Sequence, residues 1–195
     1  MVRILMLGTG SLGSQIALMI TKLVDDFVLV DKDIVNPENL QNSFFPPTYL
    51  KMPKVFACKF FLENLGSNVS SIHHREIISS SEIDKLFEEY NIDLAICTFD
   101  SIESRKIVLG SKFSDRIIFV GLAPDFAEII WGNKYAISGN TPDIHTLCSR
   151  REIYPLSIIV ASYTVNIVDV FLAQKKRISA KILKTKDKIM IKYEV

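Results

Sequence analysis

The sequence predicts an α/β domain built on a doubly wound, mainly parallel sheet with a C-terminal antiparallel extension. Three observations carry this reading. An apolar run at residues 2–7 enters the turn Gly8-x-Gly10-x-x-Gly13, an apolar helix-like segment follows, and a second apolar run at 27–30 ends in Asp31. Strand, glycine turn, helix, strand and terminal acid, in that order, supply the whole context of a dinucleotide-binding fingerprint. In such a unit Gly8 permits the tight turn, Gly10 lets the backbone approach a phosphate, and Gly13 lets the helix pack close to the strand. The helix N-terminus adds free N–H groups and the positive end of a dipole. The Asp31 carboxylate stands where it can accept hydrogen bonds from ribose hydroxyls. The alternative is a plain strand–turn–helix whose glycines serve packing alone. The pattern specifies a nucleotide without specifying which one.

The remaining elements alternate in the same way. Residues 33–47 form a polar connection rich in Pro and Asn, and 54–65 carry Val55, Phe56, Phe60, Phe61 and Leu65 at helical spacing. Residues 69–77 read as a strand. Ser81 is a candidate cap for a short helix, with Asp84 three residues on. A buried strand is expected at 94–98, a helix at 103–113 and a strand at 116–120 ending at Gly121. Residues 128–137 read as strand or hairpin, 138–154 as a polar irregular stretch and 156–173 as a long helix. The tail from 181 shows two β-like runs separated by 185–188, a candidate hairpin. Parallel strands joined by helices make a Rossmann-like core, expected at 1–125, with a crossover loop, helix and strand pair at 126–195, all in one domain. Ligands of such sheets lie beyond the carboxyl ends of the strands, which puts the glycine turn, Asp31, 98–101 and 121–125 on one rim.

Composition excludes several classes. With 195 residues, 48% hydrophobic content and a net charge of +1, a folded globular chain is expected, with no basic excess that would suit nucleic acid. The cluster Lys175-Lys176-Arg177 follows an apolar helix and suits its C-terminus. Residues 156–173 carry Ser157, Ser162, Thr164, Asn166 and Asp169, too polar for an uninterrupted membrane span. The three cysteines, Cys58, Cys97 and Cys148, have neither metal-ligand spacing nor a disulfide framework, so a cytoplasmic, reducing location is expected.

After the second strand the chain reads Val30-Asp31-Lys32-Asp33-Ile34-Val35-Asn36-Pro37-Glu38-Asn39-Leu40-Gln41, a string an ordinary dehydrogenase does not need. It resembles the ThiF/MoeB/ubiquitin-activating family, with its V-D-x-D-x-V and N-L-x-R-Q segments. Pro53-Lys54 is similar to the family's G-x-P-K segment. Cys97-Thr98-Phe99-Asp100-Ser101 with Arg105 is similar to its C-T-D-N-x-x-x-R segment with one residue inserted, and Cys148 lies where many members have a reactive cysteine. The resemblance implies ATP-dependent adenylation of the C-terminal glycine of a ubiquitin-like or sulfur-carrier protein, and a homodimer or heterodimer. It assigns Asp31 to the ribose, Lys54 to the phosphates, Asn39 to their vicinity and Asp100 to magnesium. Such chemistry needs alignment and charge neutralisation more than acid–base groups.

Two departures accompany it. Asn42 stands where the family has arginine, and the sequence begins directly with the first strand, without the family's preceding arginine-bearing helix. Losing both cations would cost several orders of magnitude in rate, by analogy with arginine fingers. A catalytically deficient scaffold or partner subunit is therefore a second expectation, and an NAD-dependent oxidoreductase a third. The family's paired-cysteine zinc motif is missing, so no zinc is expected.

Each assignment has a plainer alternative. Asp100 suits a helix N-cap region, Lys54 a surface lysine at a helix start, and Asn39 a turn. Arg105 suits a structural pair with Asp100 or Glu103. Cys148 needs exposure and a cationic setting to act as a nucleophile, and Arg150 and Arg151 would supply the second.

Overall fold

The structure is a computed structural model that describes residues 1–137 and 153–194. Five strands run parallel: β1 (Arg3–Leu7), β2 (Asp26–Val30), β3 (Asn68–His73), β4 (Leu94–Cys97) and β5 (Ile117–Leu122). Three more follow antiparallel: β6 (Phe126–Trp131), β7 (Ser179–Lys184) and β8 (Ile189–Glu194). They form one sheet in the order β3-β2-β1-β4-β5-β6-β7-β8. The direction of strand addition reverses between β1 and β4, the place where open α/β sheets hold their ligands.

Strand alternation explains the two cores. Ile4 and Met6 point to one face, where they meet α1 (Ser11–Met19), α2 (Lys54–Asn64) and α5 (Tyr154–Gln174) through Ile16, Val55, Leu62, Val160 and Ile167. Leu5 and Leu7 point to the other, against α3 (Ser80–Glu89) and α4 (Ile102–Leu109) through Ile83, Leu86, Phe87 and Val108. Burial on both faces is why the central strands read as continuous apolar runs. Helix α5 is long and apolar enough to cross a membrane by length and composition, but it packs on α1 and the sheet. Its polar Ser162, Asn166 and Asp169 lie on the exposed side. At its end Lys175 adopts the left-handed conformation (φ 57°) that closes helices, and Arg177 covers the Trp131 and Phe171 rings.

Several boundaries differ from the sequence expectation for visible reasons. Helix α3 is capped at Ser79, not Ser81: the Glu82 carboxylate accepts from the Ile78 N–H at 3.2 Å, while Asp84 accepts from the Ser111 hydroxyl at 2.5 Å and so ties α3 to the end of α4. Strand β3 stops at His73, four residues early, because Arg75 leaves the sheet to pair with Glu82 and Ile77 enters the core beside α3. Helix α4 starts at Ile102, capped by the Ser101 hydroxyl accepting from the Ser104 N–H at 3.0 Å, and ends at Gly110 instead of continuing to 113. Strand β5 continues through Gly121 because β6 pairs with it there, Gly121 opposite Glu128.

Candidate functional site

The first loop is fixed by glycine. Gly8 has φ +99°, and a Cβ on it would lie 2.6 Å from the Thr98 hydroxyl, so a side chain there is both strained and clashing. A Cβ on Gly13 would lie 2.1 Å from the Gly8 carbonyl oxygen, which is how helix and turn come so close. Gly10 differs: among the described residues nothing lies within 4 Å of its Cβ position, and it caps α1 without a side-chain cap or an acid in the first turn. The N–H groups of that first turn have no partner within the helix. A glycine with no neighbour among the described residues, at an open helix N-terminus, marks room for a ligand.

Asp31 follows β2 and is 6% exposed. Its Oδ2 accepts from the Thr9 N–H at 2.7 Å and the Thr9 hydroxyl at 3.2 Å, and its Oδ1 from the Asp33 N–H at 2.8 Å. The carboxylate thus locks the glycine turn to the end of β2 as well as facing the rim. A carboxylate has about four lone-pair sites, so acceptor capacity remains for hydroxyl donors. Burial pushes its pKa up, opposed by the positive charge of Lys54 and by the two backbone N–H donors.

Lys54 opens α2. Its N–H donates to the Asp33 carbonyl at 2.9 Å and its ammonium to the Asp33 carboxylate at 3.0 Å, so a residue only 8% exposed is aimed at the rim. Asn39 belongs to the short 3-10 turn Pro37–Gln41, where its Oδ1 accepts from the Asn36 N–H at 2.9 Å. It is a turn residue that also lines the cavity. Asn42 is built into the wall, its carbonyl accepting from the Ser11 hydroxyl and from Gln15 Nε2 at 2.9 Å. Asp100 is exposed at the end of the β4 loop, which Thr98 ties to the glycine turn through a 3.1 Å bond to the Gly8 carbonyl.

These groups converge on a cavity of about 400 Å³ that runs along the carboxyl ends of the strands. Gly8, Gly10, Asp31, Asn39, Lys54 and Asp100 all line it. Cys148 lies outside the described residues, as do Arg150 and Arg151. The other two cysteines are buried, which pushes the Cys58 thiol up to about 12 and the Cys97 thiol up to about 11. Among the described residues no group of three or more His, Cys, Asp or Glu is gathered for a metal.

Arg105 does not form the helix-surface pair with Glu103. It turns inward, donating from Nε to the Phe99 carbonyl at 2.6 Å, from Nη2 to the Val120 carbonyl at 2.8 Å and from Nη1 to the Tyr135 hydroxyl at 2.8 Å. One side chain therefore ties the ends of β4 and β5 to the segment after β6. The sequence reading missed Glu128 and Tyr135, both on the cavity wall. The available signal was an acid inside the otherwise apolar strand FAEIIW.

Fold and site together define a doubly wound α/β domain with its cavity at the reversal of strand order. The ThiF family matches residues 1–152, and the chain belongs to that family. No curated protein sequence matches it. Its fold is similar to that of Escherichia coli MccB bound to MccA-N7isoASN, with TM-score 0.76 and 18% identity over 99% of this chain and 64% of MccB. The E. coli MccB structure with ATP has TM-score 0.71 and 16% identity, covering 98% of this chain and 62% of that one. PaaA has TM-score 0.74 and 12% identity, covering 100% of this chain and 65% of its own. The chain thus spans under two thirds of the length of these proteins.

Proposed function

We propose that this protein binds ATP on the β1–β2–β4 rim and activates the carboxyl terminus of a protein or peptide by adenylation, in the cytoplasm. The observation that carries the reading is Gly10, a glycine with no neighbour to avoid among the described residues, at an open helix N-terminus within the cavity that Asp31, Lys54 and Asp100 share. The first-turn N–H groups of α1 and the Lys54 ammonium would hold phosphate oxygens. Asp31 would accept from ribose hydroxyls with the lone pairs that Thr9 and Asp33 leave. Asp100 fits magnesium as a single exposed carboxylate, since that ion keeps most of its waters and shares phosphate oxygens. Bound there, the ion would neutralise charge on the leaving pyrophosphate. The acceptor carboxylate is already a nucleophile, so the protein's task is to align two anions and screen their charge. A ubiquitin-like or sulfur-carrier protein with a Gly-Gly tail is the proposed acceptor, and a dimer the proposed assembly.

Asn42 favours a second reading. Its place in the wall brings no cation to the phosphates, which suits a nucleotide-binding partner subunit without its own turnover. ATP–pyrophosphate exchange with a Gly-Gly-tailed acceptor separates the two. Exchange that Asn42→Arg accelerates without changing ATP affinity supports an active but underpowered site. ATP binding without exchange, in wild type and variant alike, supports the partner subunit.

A further inference from the structure

The nucleotide reading uses the β1–β2–β4 half of the cavity and leaves the β5–β6 half without a role. That half is walled by Leu122, Phe126, Tyr135 and Tyr154, and among its described residues Glu128 supplies the negative charge. The placement is specific. Glu128 sits opposite Gly121 in the β5–β6 register, and a Cβ on Gly121 would lie 3.1 Å from Glu128 Cγ. The glycine therefore makes the space that the glutamate side chain crosses. Tyr135 stacks flat on Phe119, with ring centroids 4.3 Å apart and planes 2° apart. Its oxygen accepts from Arg105 Nη1 at 2.8 Å, and Tyr135 and Arg105 line the same half of the cavity as Glu128. Arg105 and Lys181 favour the charged form, while half-burial opposes it and pushes the pKa up. A carboxylate given its room by Gly121, on a wall that is mostly apolar and aromatic, is an acceptor open to a donor. It also repels another carboxylate.

We propose that Glu128 sets the selectivity of the acceptor end. It accepts a hydrogen bond from a donor side chain, Lys before Asn or Gln, on the residue preceding the acceptor's terminal Gly-Gly, and it excludes Asp and Glu there. This rests on the adenylation reading for what the tail is, while its test is binding rather than turnover. Fluorescein-labelled heptapeptides ending in Lys-Gly-Gly, Ala-Gly-Gly or Glu-Gly-Gly are titrated by anisotropy against the full chain with magnesium and a non-hydrolysable ATP analogue. Wild type binds the Lys peptide about tenfold or more tighter than the Glu peptide, the scale of a hydrogen bond to a charged group. Glu128→Lys inverts that order. Glu128→Gln, which keeps the shape and removes the charge, brings the Lys and Ala peptides within about twofold of each other, and it carries the test if the lysine variant does not fold. The same peptide order in all three proteins overturns the proposal, as does the lack of peptide binding by wild type. ATP is titrated in parallel by thermal shift. Peptide selectivity that follows residue 128 without an ATP shift sinks the nucleotide reading and keeps this one, and an ATP shift with selectivity blind to residue 128 does the reverse.

Discussion

Replacing Gly10 by alanine separates a glycine kept for a ligand from one kept for the fold. At Gly10 (φ −68°, extended) the new methyl meets no atom of the described residues within 4 Å beyond its chain neighbours, so the contacts of the described fold are kept. The unfolded chain loses freedom, so the variant is unchanged or up to about 1 kcal/mol more stable. The methyl instead enters the cradle in front of the first turn of α1. Pushing a phosphate off one or two N–H donors costs about 1.5–3 kcal/mol for each bond to a charged group, roughly tenfold to a hundredfold in ATP affinity. At ATP one hundred times the wild-type Kd, binding stabilises the native state by about 2.7 kcal/mol, and a hundredfold weaker variant retains about 0.4 kcal/mol. For a domain of this size that is a fall in ATP-induced Tm shift from about 5–11 °C to about 1–2 °C. Gly8→Ala is the contrast: with φ +99° and a 2.6 Å clash against Thr98, it lowers the Tm of the ligand-free protein by several degrees. The assay is a thermal-shift titration of wild type and both variants. A Gly10→Ala protein with undiminished ATP shift would refute the claim that this space is the phosphate cradle.

Three further outcomes follow from the same geometry. Burial raises the Asp31 pKa, so its folded-state carboxyl takes up a proton at higher pH than an exposed aspartate, and that window contributes stability which falls as pH rises through it. The ionised form is the better hydroxyl acceptor, so ATP affinity should decline as pH is lowered through that raised pKa, and Asp31→Asn should be weak at every pH; equal pH profiles by calorimetry would contradict this. Arg105→Ala strands two carbonyls and the Tyr135 hydroxyl and should cost about 2–4 kcal/mol, read as a lower urea midpoint at unchanged m-value. With Cys58 and Cys97 buried and their thiols held far above neutrality, neither should react with iodoacetamide at pH 7.5 in the native protein, and mass spectrometry that finds either one modified after brief labelling would contradict this.

The unit from β1 through α1 to Asp31 was legible because each residue answers to local rules: apolar runs buried on both faces, glycines where backbone crowds backbone, an acid at the strand end. The candidate ligands Lys54 and Asp100 were legible only through resemblance, since nothing local separates them from a lysine at a helix start and an acid in a loop. Their shared cavity depends on the Pro37–Gln41 turn and the Thr98–Gly8 bond, which are contacts far apart in the chain. The α3 cap was misplaced by two residues because three serines in a row, Ser79, Ser80 and Ser81, offer the same chemistry, and Glu82 decides among them. The structural role of Arg105 was legible but its partners were not, because helical spacing shows surface neighbours, whereas its bonds reach the β4 loop, β5 and the segment after β6. Glu128 escaped notice because its meaning depends on Gly121 across the sheet.

The central claim is that the cavity above the strand-order reversal is an ATP site, and calorimetric titration of the full chain with ATP and magnesium against NAD and NADH tests it most directly. The account predicts saturable ATP binding, with both dinucleotides at least tenfold weaker, the scale expected when the adenosine contacts are shared and the triphosphate contacts are not. Binding of NAD or NADH with no detectable binding of ATP would contradict it.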